Sequence, residues 1–231
     1  MMTRFTVIKT AAVLFASLAL MAATRPAPLP PNYQTTFENA DILVMRVHYG
    51  AHEFVPMHDH TAYPTLYTYL NDSGPVKITH EVPDNLTLTR PPTHTGAFRI
   101  APGAKERHSV QSMSDTPSDF LRVELKRIPV HDIKTVIRGD APKPLAPGTH
   151  TDFEDKAIQV DRTICPESSP CTLPKLHARS LVVAIDDLHL TDSTGDHVLH
   201  AGDTLWLTAK EEGSIELSAK AHVLRVVLLY S

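Results

Sequence analysis

Short apolar runs recur along most of this chain, and they predict β-strands. The runs are rich in β-branched and aromatic residues and are separated by turn residues, such as those at 71–74 and 91–92. Many short strands at this spacing are typical of an all-β sandwich or barrel. After residue 23, no stretch has the apolar period of an amphipathic helix. The runs read ILVMRVHY, TLYTYL, VKITHEV, LTLT, AFRIA and FLRVELKRI in the first part of the chain, and AIQVDRTI, SLVVAI, LHLTD, HVLHA, DTLWLTA, SIELSA and HVLRVVLLY in the second.

A proline-containing segment, residues 130–150, separates two strand-rich regions, and we interpret it as a linker. The expected order is a signal peptide (1–23), a proline-rich lead (24–39), an N-terminal barrel (40–129), the linker and a C-terminal barrel (151–231). Each region closes on an apolar strand, FLRVELK in the first and VLRVVLL in the second, so the two layouts are similar. The predicted fold class is therefore all-β, with two barrels in one chain.

The first residues predict export from the cytoplasm. Arg4 and Lys9 give a short positive region, and residues 10–23 then read TAAVLFASLALMAA without a charge. This apolar stretch is shorter than the roughly 20 residues that a membrane-spanning helix needs. It fits a secretory signal peptide that is cleaved after Ala22 or Ala23, and a retained anchor is the alternative. We expect a secreted or periplasmic protein with no membrane contact after cleavage.

The net charge and the cysteine content indicate which partners and which cellular compartment to expect. The formal net charge is −4 and no basic run is present, so we expect no nucleic-acid partner. A small-molecule ligand or substrate is the expected partner, and the sequence leaves a homodimer open. The two cysteines, Cys165 and Cys171, predict a disulfide in an oxidising compartment, with two free thiols as the alternative.

Three of the fourteen histidines form a candidate metal site. His58 and His60 flank Asp59 in a predicted strand, where residues two apart point to the same face and can chelate one ion. His108 follows a glycine turn, a strand and the proline–glycine turn at 102–103. Histidine in its neutral form binds zinc, iron, copper, nickel or manganese, so a divalent metal is the expected cofactor and its identity stays open.

The segments PMHDHTAYPTLYTYLND and GAFRIAPGAKERHSV, followed by FLRVELK, resemble the two sequence motifs of the cupin superfamily. The resemblance implies jelly-roll β-barrels, with His58, His60 and His108 holding a metal inside the N-terminal one. The chain departs from the motif where an acidic ligand is expected, because Pro64 or Thr65 occupies that position. Glu53 and Tyr63 are nearby in sequence and are candidates for an extra group.

The C-terminal barrel keeps less of the pattern, since its His177 and His222 have no partner at ligand spacing. We therefore expect a degenerate cupin barrel that covers the apolar face of the first. The predicted function is an exported cupin-type protein that acts on or binds a small molecule, of oxygenase or isomerase type if it is an enzyme. The alternative is a non-catalytic module that binds a small ligand or supports a partner and keeps a relic metal site. The sequence identifies no catalytic residue.

Overall fold

The computed structural model describes residues 28–129, 133–209 and 214–230. The predicted signal peptide and the start of the proline-rich lead lie outside these ranges. All the regular secondary structure of the described residues is β-strand, which confirms the predicted all-β class. No helix among these residues has the length and apolar character needed to cross a membrane.

The N-terminal half contributes ten strands, β1 to β10. They form a six-stranded sheet in the order β1-β2-β9-β4-β7-β10 and a four-stranded sheet in the order β3-β8-β5-β6. The strands are β1 (Tyr33–Glu38), β2 (Ile42–Tyr49), β3 (Phe54–His60), β4 (Thr65–Tyr69), β5 (Val76–Val82), β6 (Thr87–Arg90), β7 (Phe98–Ala101), β8 (Glu106–Ser112), β9 (Ser118–Leu125) and β10 (Ile137–Gly139).

The C-terminal half repeats this arrangement with nine strands, β11 to β19. They form a five-stranded sheet in the order β11-β12-β19-β14-β17 and a four-stranded sheet in the order β13-β18-β15-β16. The strands are β11 (Gly148–Glu154), β12 (Ile158–Ile164), β13 (Cys171–Leu173), β14 (Ser180–Ala184), β15 (Leu188–Asp192), β16 (Gly195–Leu199), β17 (Thr204–Leu207), β18 (Ile215–Leu217) and β19 (His222–Leu228).

One apolar core joins the two halves. The larger sheet of each half turns alternate residues towards the other, and these side chains form a single buried cluster. Two smaller clusters fill the interiors of the N-terminal and the C-terminal half. The joint cluster includes Ile42, Val44, Leu66, Phe98, Ile100, Leu121 and Val123 from the first sheet and Ile158, Val160, Leu181, Val183, Leu224 and Val226 from the second. The two-barrel architecture predicted from the sequence is thus the one observed.

Two strands and the first residues of a third lie where the sequence predicted a lead or a linker. Strand β1 pairs with β2, strand β10 pairs with β7, and strand β11 pairs with β12. All three lie at the edges of the two large sheets. Edge strands are half exposed and tolerate proline and polar residues, so they lack the apolar runs that identified the central strands.

The predicted disulfide is present. Cys165 and Cys171 are bonded, with their Cα atoms 5.3 Å apart, and the bond closes the loop between β12 and β13. These two are all the cysteines of the sequence, so neither is a free thiol.

A buried arginine adds a polar contact between the halves. Arg162 donates from Nη2 to the carbonyl oxygen of Gly96 (2.8 Å) and from Nε to Asp152 Oδ2 (2.8 Å). Its Nη1 lies 2.7 Å from His222 Nε2. Because an arginine only donates hydrogen bonds, His222 accepts this one and is neutral. Burial, followed by the charge of Arg162, lowers the pKa of His222 to about 4.

This contact predicts an acid-sensitive term in the free energy of unfolding. Because the unfolded His222 binds a proton near its ordinary pKa and the folded one does not, stability falls as the pH drops from about 6.5 towards 4. Between about pH 7.5 and pH 5 the expected loss is on the order of 2 kcal/mol. Urea unfolding of the metal-free protein at both pH values measures it as the difference between the parent and a His222 variant, because the other buried histidines also lose stability in acid.

The variant His222→Gln keeps an acceptor for Arg162 but does not titrate. Its unfolding free energy should therefore depend less on pH than that of the parent. His150→Gln, at an exposed position, is the matched control and should keep the parent's pH dependence. Equal pH dependence in the parent and in His222→Gln would contradict the assignment.

Candidate metal centre

The pairing register of β3 and β8 brings four potential ligands together. His58 lies directly opposite His108, and His60 lies directly opposite Glu106. Since residues two apart in a strand share a face, all four side chains belong to one face of the sheet. Strand β5 flanks β8 on its other side and places His80 opposite His108.

The three predicted histidines converge inside the N-terminal half. One ring nitrogen from each of His58, His60 and His108 lies within 4.8 Å of the other two. The ring centroids are 4.8 Å apart for His58 and His60, 4.8 Å for His58 and His108, and 5.0 Å for His60 and His108. The residues are 4%, 5% and 4% exposed, respectively. We call this group the histidine trio.

Hydrogen bonds fix the orientation of His58. Its Nδ1 lies 2.7 Å from the carbonyl oxygen of Pro56, which only accepts, so Nδ1 carries the proton. Its Nε2 is therefore unprotonated, and the lone pair on that atom accepts a hydrogen bond from the Tyr33 hydroxyl at 3.0 Å. The Tyr33 hydroxyl also lies 2.6 Å from that of Tyr49. Burial raises the pKa of Tyr33, so the phenol keeps its proton.

His60 and His108 have buried nitrogen atoms without hydrogen-bond partners. Both ring nitrogens of His60 and Nδ1 of His108 are in this state among the described residues. A neutral imidazole carries one N–H, so leaving it unpaired costs about 1–3 kcal/mol. Burial lowers the pKa of His60 far below its usual value and that of His108 to about 2. The rings are therefore neutral, which is the form that binds metals.

The structure adds two groups that the sequence analysis missed. Glu106, His80 and His108 form a second cluster whose ligand atoms lie within 4.8 Å of one another. Glu106 Oε2 is buried without a hydrogen bond, 3.9 Å from His108 Nδ1 and 3.6 Å from Arg122 Nη1. Glu106 is two residues before His108 and so shares its face, a signal that the sequence contained. His80 could be found only from the pairing of β5 with β8.

The two candidates for an extra group are not supported. The Glu53 carboxylate accepts hydrogen bonds from Asn32 Nδ2 at 2.9 Å and from the Gly50 amide at 2.6 Å. It closes the turn between β2 and β3 and belongs to neither ligand cluster. No hydrogen bond or ring contact joins Tyr63 to the histidine trio in the described part of the chain. The acidic group near the trio is Glu106 of β8. It does not come from the position of Pro64 or Thr65, where the motif has its acidic ligand.

A buried cation borders the trio. Arg122 Nε lies 3.4 Å from Glu124 Oε1, and its Nη1 donates to the Tyr67 hydroxyl. Burial lowers the pKa of Arg122, but Tyr67, Glu106 and Glu124 outweigh it, so the pKa stays above its usual value. This fixed positive charge also contributes to the low pKa of His60. Arg122 therefore helps to keep the trio in its neutral form.

Two open spaces border the trio. A cavity of about 20 Å³ inside the half is lined by His108, Tyr33 and Arg122 among others, and it has room for about one water molecule. A groove of about 740 Å³ is lined by residues 28–32 and by strand β3, including His58. The two C-terminal histidines singled out in the sequence, His177 and His222, line neither space. His222 is hydrogen-bonded to Arg162, and His177 is exposed.

Comparison with solved structures identifies the class of fold. AerE from Microcystis aeruginosa has 10% sequence identity over 89% of this chain and 97% of its own, with a TM-score of 0.61. The bacterial pirin YhhW from Escherichia coli, solved with nickel(II), has 13% identity over 85% and 90%, with a TM-score of 0.60. The putative glyoxylate-induced protein from Pseudomonas aeruginosa has 10% identity over 88% and 85%, with a TM-score of 0.61.

These likenesses show that the chain has the two-barrel cupin fold that its motifs resemble. At such identities they show the fold alone. No known protein-family profile matches the sequence, and no curated protein matches it either.

The unpaired nitrogens predict an unusual response to substitution at His60. Replacing it by leucine, in His60→Leu, should raise the unfolding free energy of the metal-free protein by about 1 kcal/mol, because a buried polar group without partners is removed. His58→Leu should instead lower it by about 1–2 kcal/mol, because the bonds to Pro56 and Tyr33 are lost. Urea unfolding in the presence of EDTA measures both.

The two variants are matched in side-chain type and in burial. If His60→Leu destabilised the protein as much as His58→Leu, His60 would be an ordinary packed residue and not an unsatisfied ligand.

Proposed function

We propose that the protein binds one divalent metal ion through His58, His60 and His108. The observation that carries the proposal is the state of His60, which has both ring nitrogens buried without partners beside two other neutral imidazoles. A site of this kind costs stability in the metal-free protein, and a metal ion offsets the cost by binding the lone pairs.

The ligand set fits several metals. Three imidazoles suit zinc, copper, nickel or iron, and a carboxylate extends the range towards manganese. Glu106 is the carboxylate that would complete the set, because its Oε2 is buried without a hydrogen bond beside His108. Glu106 and Glu124 both pair with Arg122, at 3.6 and 3.4 Å, so Arg122 keeps a counter-charge when Glu106 binds the metal.

We infer that the protein binds or acts on a small molecule at the metal, with chemistry of oxygenase or isomerase type if it is an enzyme. A metal at this position would supply a Lewis acid that polarises a bound oxygen atom or activates water. The chain's own groups would orient what binds beside it. The Tyr33 hydroxyl is a protonated donor 3.0 Å from His58 Nε2, and the Arg122 guanidinium is a fixed positive charge facing the same interior.

The second candidate is a non-catalytic protein that binds a small ligand or supports a partner, with a relic or purely structural metal site. The size of the interior cavity favours it. About 20 Å³ beside His108 admits about one water molecule, so an organic substrate needs side chains to move or must approach from the groove at His58.

Metal binding is tested on the mature protein without a histidine tag. We expect elemental analysis to find near one metal ion per chain after loading with zinc, nickel, manganese, copper or ferrous iron in turn, and the thermal midpoint to fall when EDTA removes it. The double variant His58→Ala/His60→Ala should lose nearly all the metal and the effect of EDTA. His150→Ala, at an exposed position, should keep both.

His60→Leu serves as a folding control, because it removes a ligand while it is expected to be stable. A parent that binds none of the offered metals contradicts the proposal. A His60→Leu protein that keeps its metal contradicts this choice of ligands.

We also propose that the chain is exported. The support is the signal-like pattern of residues 1–23 together with a disulfide, since disulfides persist in oxidising compartments. Amino-terminal sequencing of the protein recovered from the periplasm or medium of the expressing cells should start at Ala23 or Thr24. A protein that stays in the cytoplasm and starts at residue 1 or 2 contradicts export.

A further inference from the structure

A second pocket lies at the edge of the N-terminal half, beyond the ligand clusters. Its volume is about 150 Å³, which is room for about five water molecules or a small organic acid. The ends of β4, β6, β7 and β10 surround it. Three arginines line it, Arg90, Arg99 and Arg138, together with Tyr69 and the segment Pro91–Thr93.

Arg99 is buried and forms no salt bridge among the described residues, although the charge of Glu106 favours its charged form. It is 7% exposed, and its Nε and Nη2 have no hydrogen-bond partner among the described residues. These two atoms form one edge of the guanidinium group, whose parallel N–H bonds match the two oxygens of a carboxylate. Its guanidinium carbon lies 4.1 Å from the centre of the Tyr67 ring, and this contact holds the side chain in place.

The positive charges around Arg99 favour the binding of an anion. Arg138 of β10 lies directly opposite Arg99 of β7 in the sheet, and like charges at such positions repel. The Arg90 guanidinium also lies over the Tyr67 ring, at 5.6 Å. Burial, followed by the charge of Arg90, lowers the pKa of Arg99. In this part of the described chain the acidic lining residue is Asp140, which is exposed at the rim.

We propose that this pocket binds the carboxylate group of a small organic acid, with the guanidinium group of Arg99, which has unpaired donors, donating to its two oxygens. Arg90 and Arg138 add positive charge from either side. Arg90 also lines the 20 Å³ cavity that His108 borders, so an acid held here lies one side chain from the histidine trio. Binding of the anion does not require the metal. Only the use of this site to anchor a substrate rests on the proposed function.

Calorimetric titration of the full mature protein tests the site, with propionate and inorganic phosphate as probes. Each is titrated into metal-loaded and EDTA-treated samples. We expect propionate to bind both samples with similar affinity, and more tightly than phosphate, because the planar edge of Arg99 fits a carboxylate. Arg99→Met should weaken propionate binding at least about tenfold, which corresponds to about 1.4 kcal/mol.

Two further variants keep the test decisive. Arg99→Lys keeps the charge but lacks the paired donors, so it should also bind propionate about tenfold more weakly than the parent and stands in if Arg99→Met does not fold. Arg127→Met, at an exposed arginine that pairs with Asp41 outside the pocket, should bind like the parent.

Three outcomes would overturn the proposal. Binding of propionate only to the metal-loaded protein would identify the anion as a metal ligand. Parent-like binding by Arg99→Lys would exclude recognition by the guanidinium edge. Phosphate binding as tight as propionate binding would identify a general oxyanion site. Because the EDTA-treated sample reports on the anion alone, failure of this site and failure of the metal site are distinguishable.

Discussion

The packing of the two large sheets against each other determines what the rest of the molecule can do. On β4 and β7, the residues that enter this joint core are Leu66 and Phe98, so the residues that follow them must turn the other way. Tyr67 and Arg99 therefore point into the N-terminal half, as does Arg122 of β9. A single register shift would exchange the two faces and bury these charges between the sheets. The apolar core thus fixes which side chains surround the histidine trio.

The two halves divide the tasks of stability and chemistry. The interior of the C-terminal half is a mainly apolar cluster that includes Leu190, Leu217 and Val223. The interior of the N-terminal half contains unpaired polar atoms at His60 and Arg99, which cost free energy in a protein without ligands. Burial of the joint core offsets this cost, and the C-terminal half contributes nearly half of its residues. We interpret the unpaired atoms as places where the chain gives up stability for binding.

Much of this could be predicted from the sequence. Central strands such as β9 and β19 have continuous apolar patterns, and the spacing of His58 and His60 follows directly from the period of a strand. The edge strands β1 and β10 could not be predicted, because these largely exposed segments carry no apolar run. Because β1 was not predicted, its residue Tyr33 was not recognised as the hydrogen-bond partner of His58. Contributions that depend on pairing register, such as His80 opposite His108, also could not be read from one strand alone.

The central claim is that a metal ion binds within the N-terminal half at the histidine trio. Anomalous X-ray scattering from crystals of the metal-loaded protein, collected on both sides of the absorption edge of that metal, tests it most directly. We predict one anomalous peak inside the N-terminal half, within about 2.0–2.3 Å of a ring nitrogen from each of His58, His60 and His108. A peak bound by other residues, or a metal-loaded crystal with no peak inside the N-terminal half, would contradict the account.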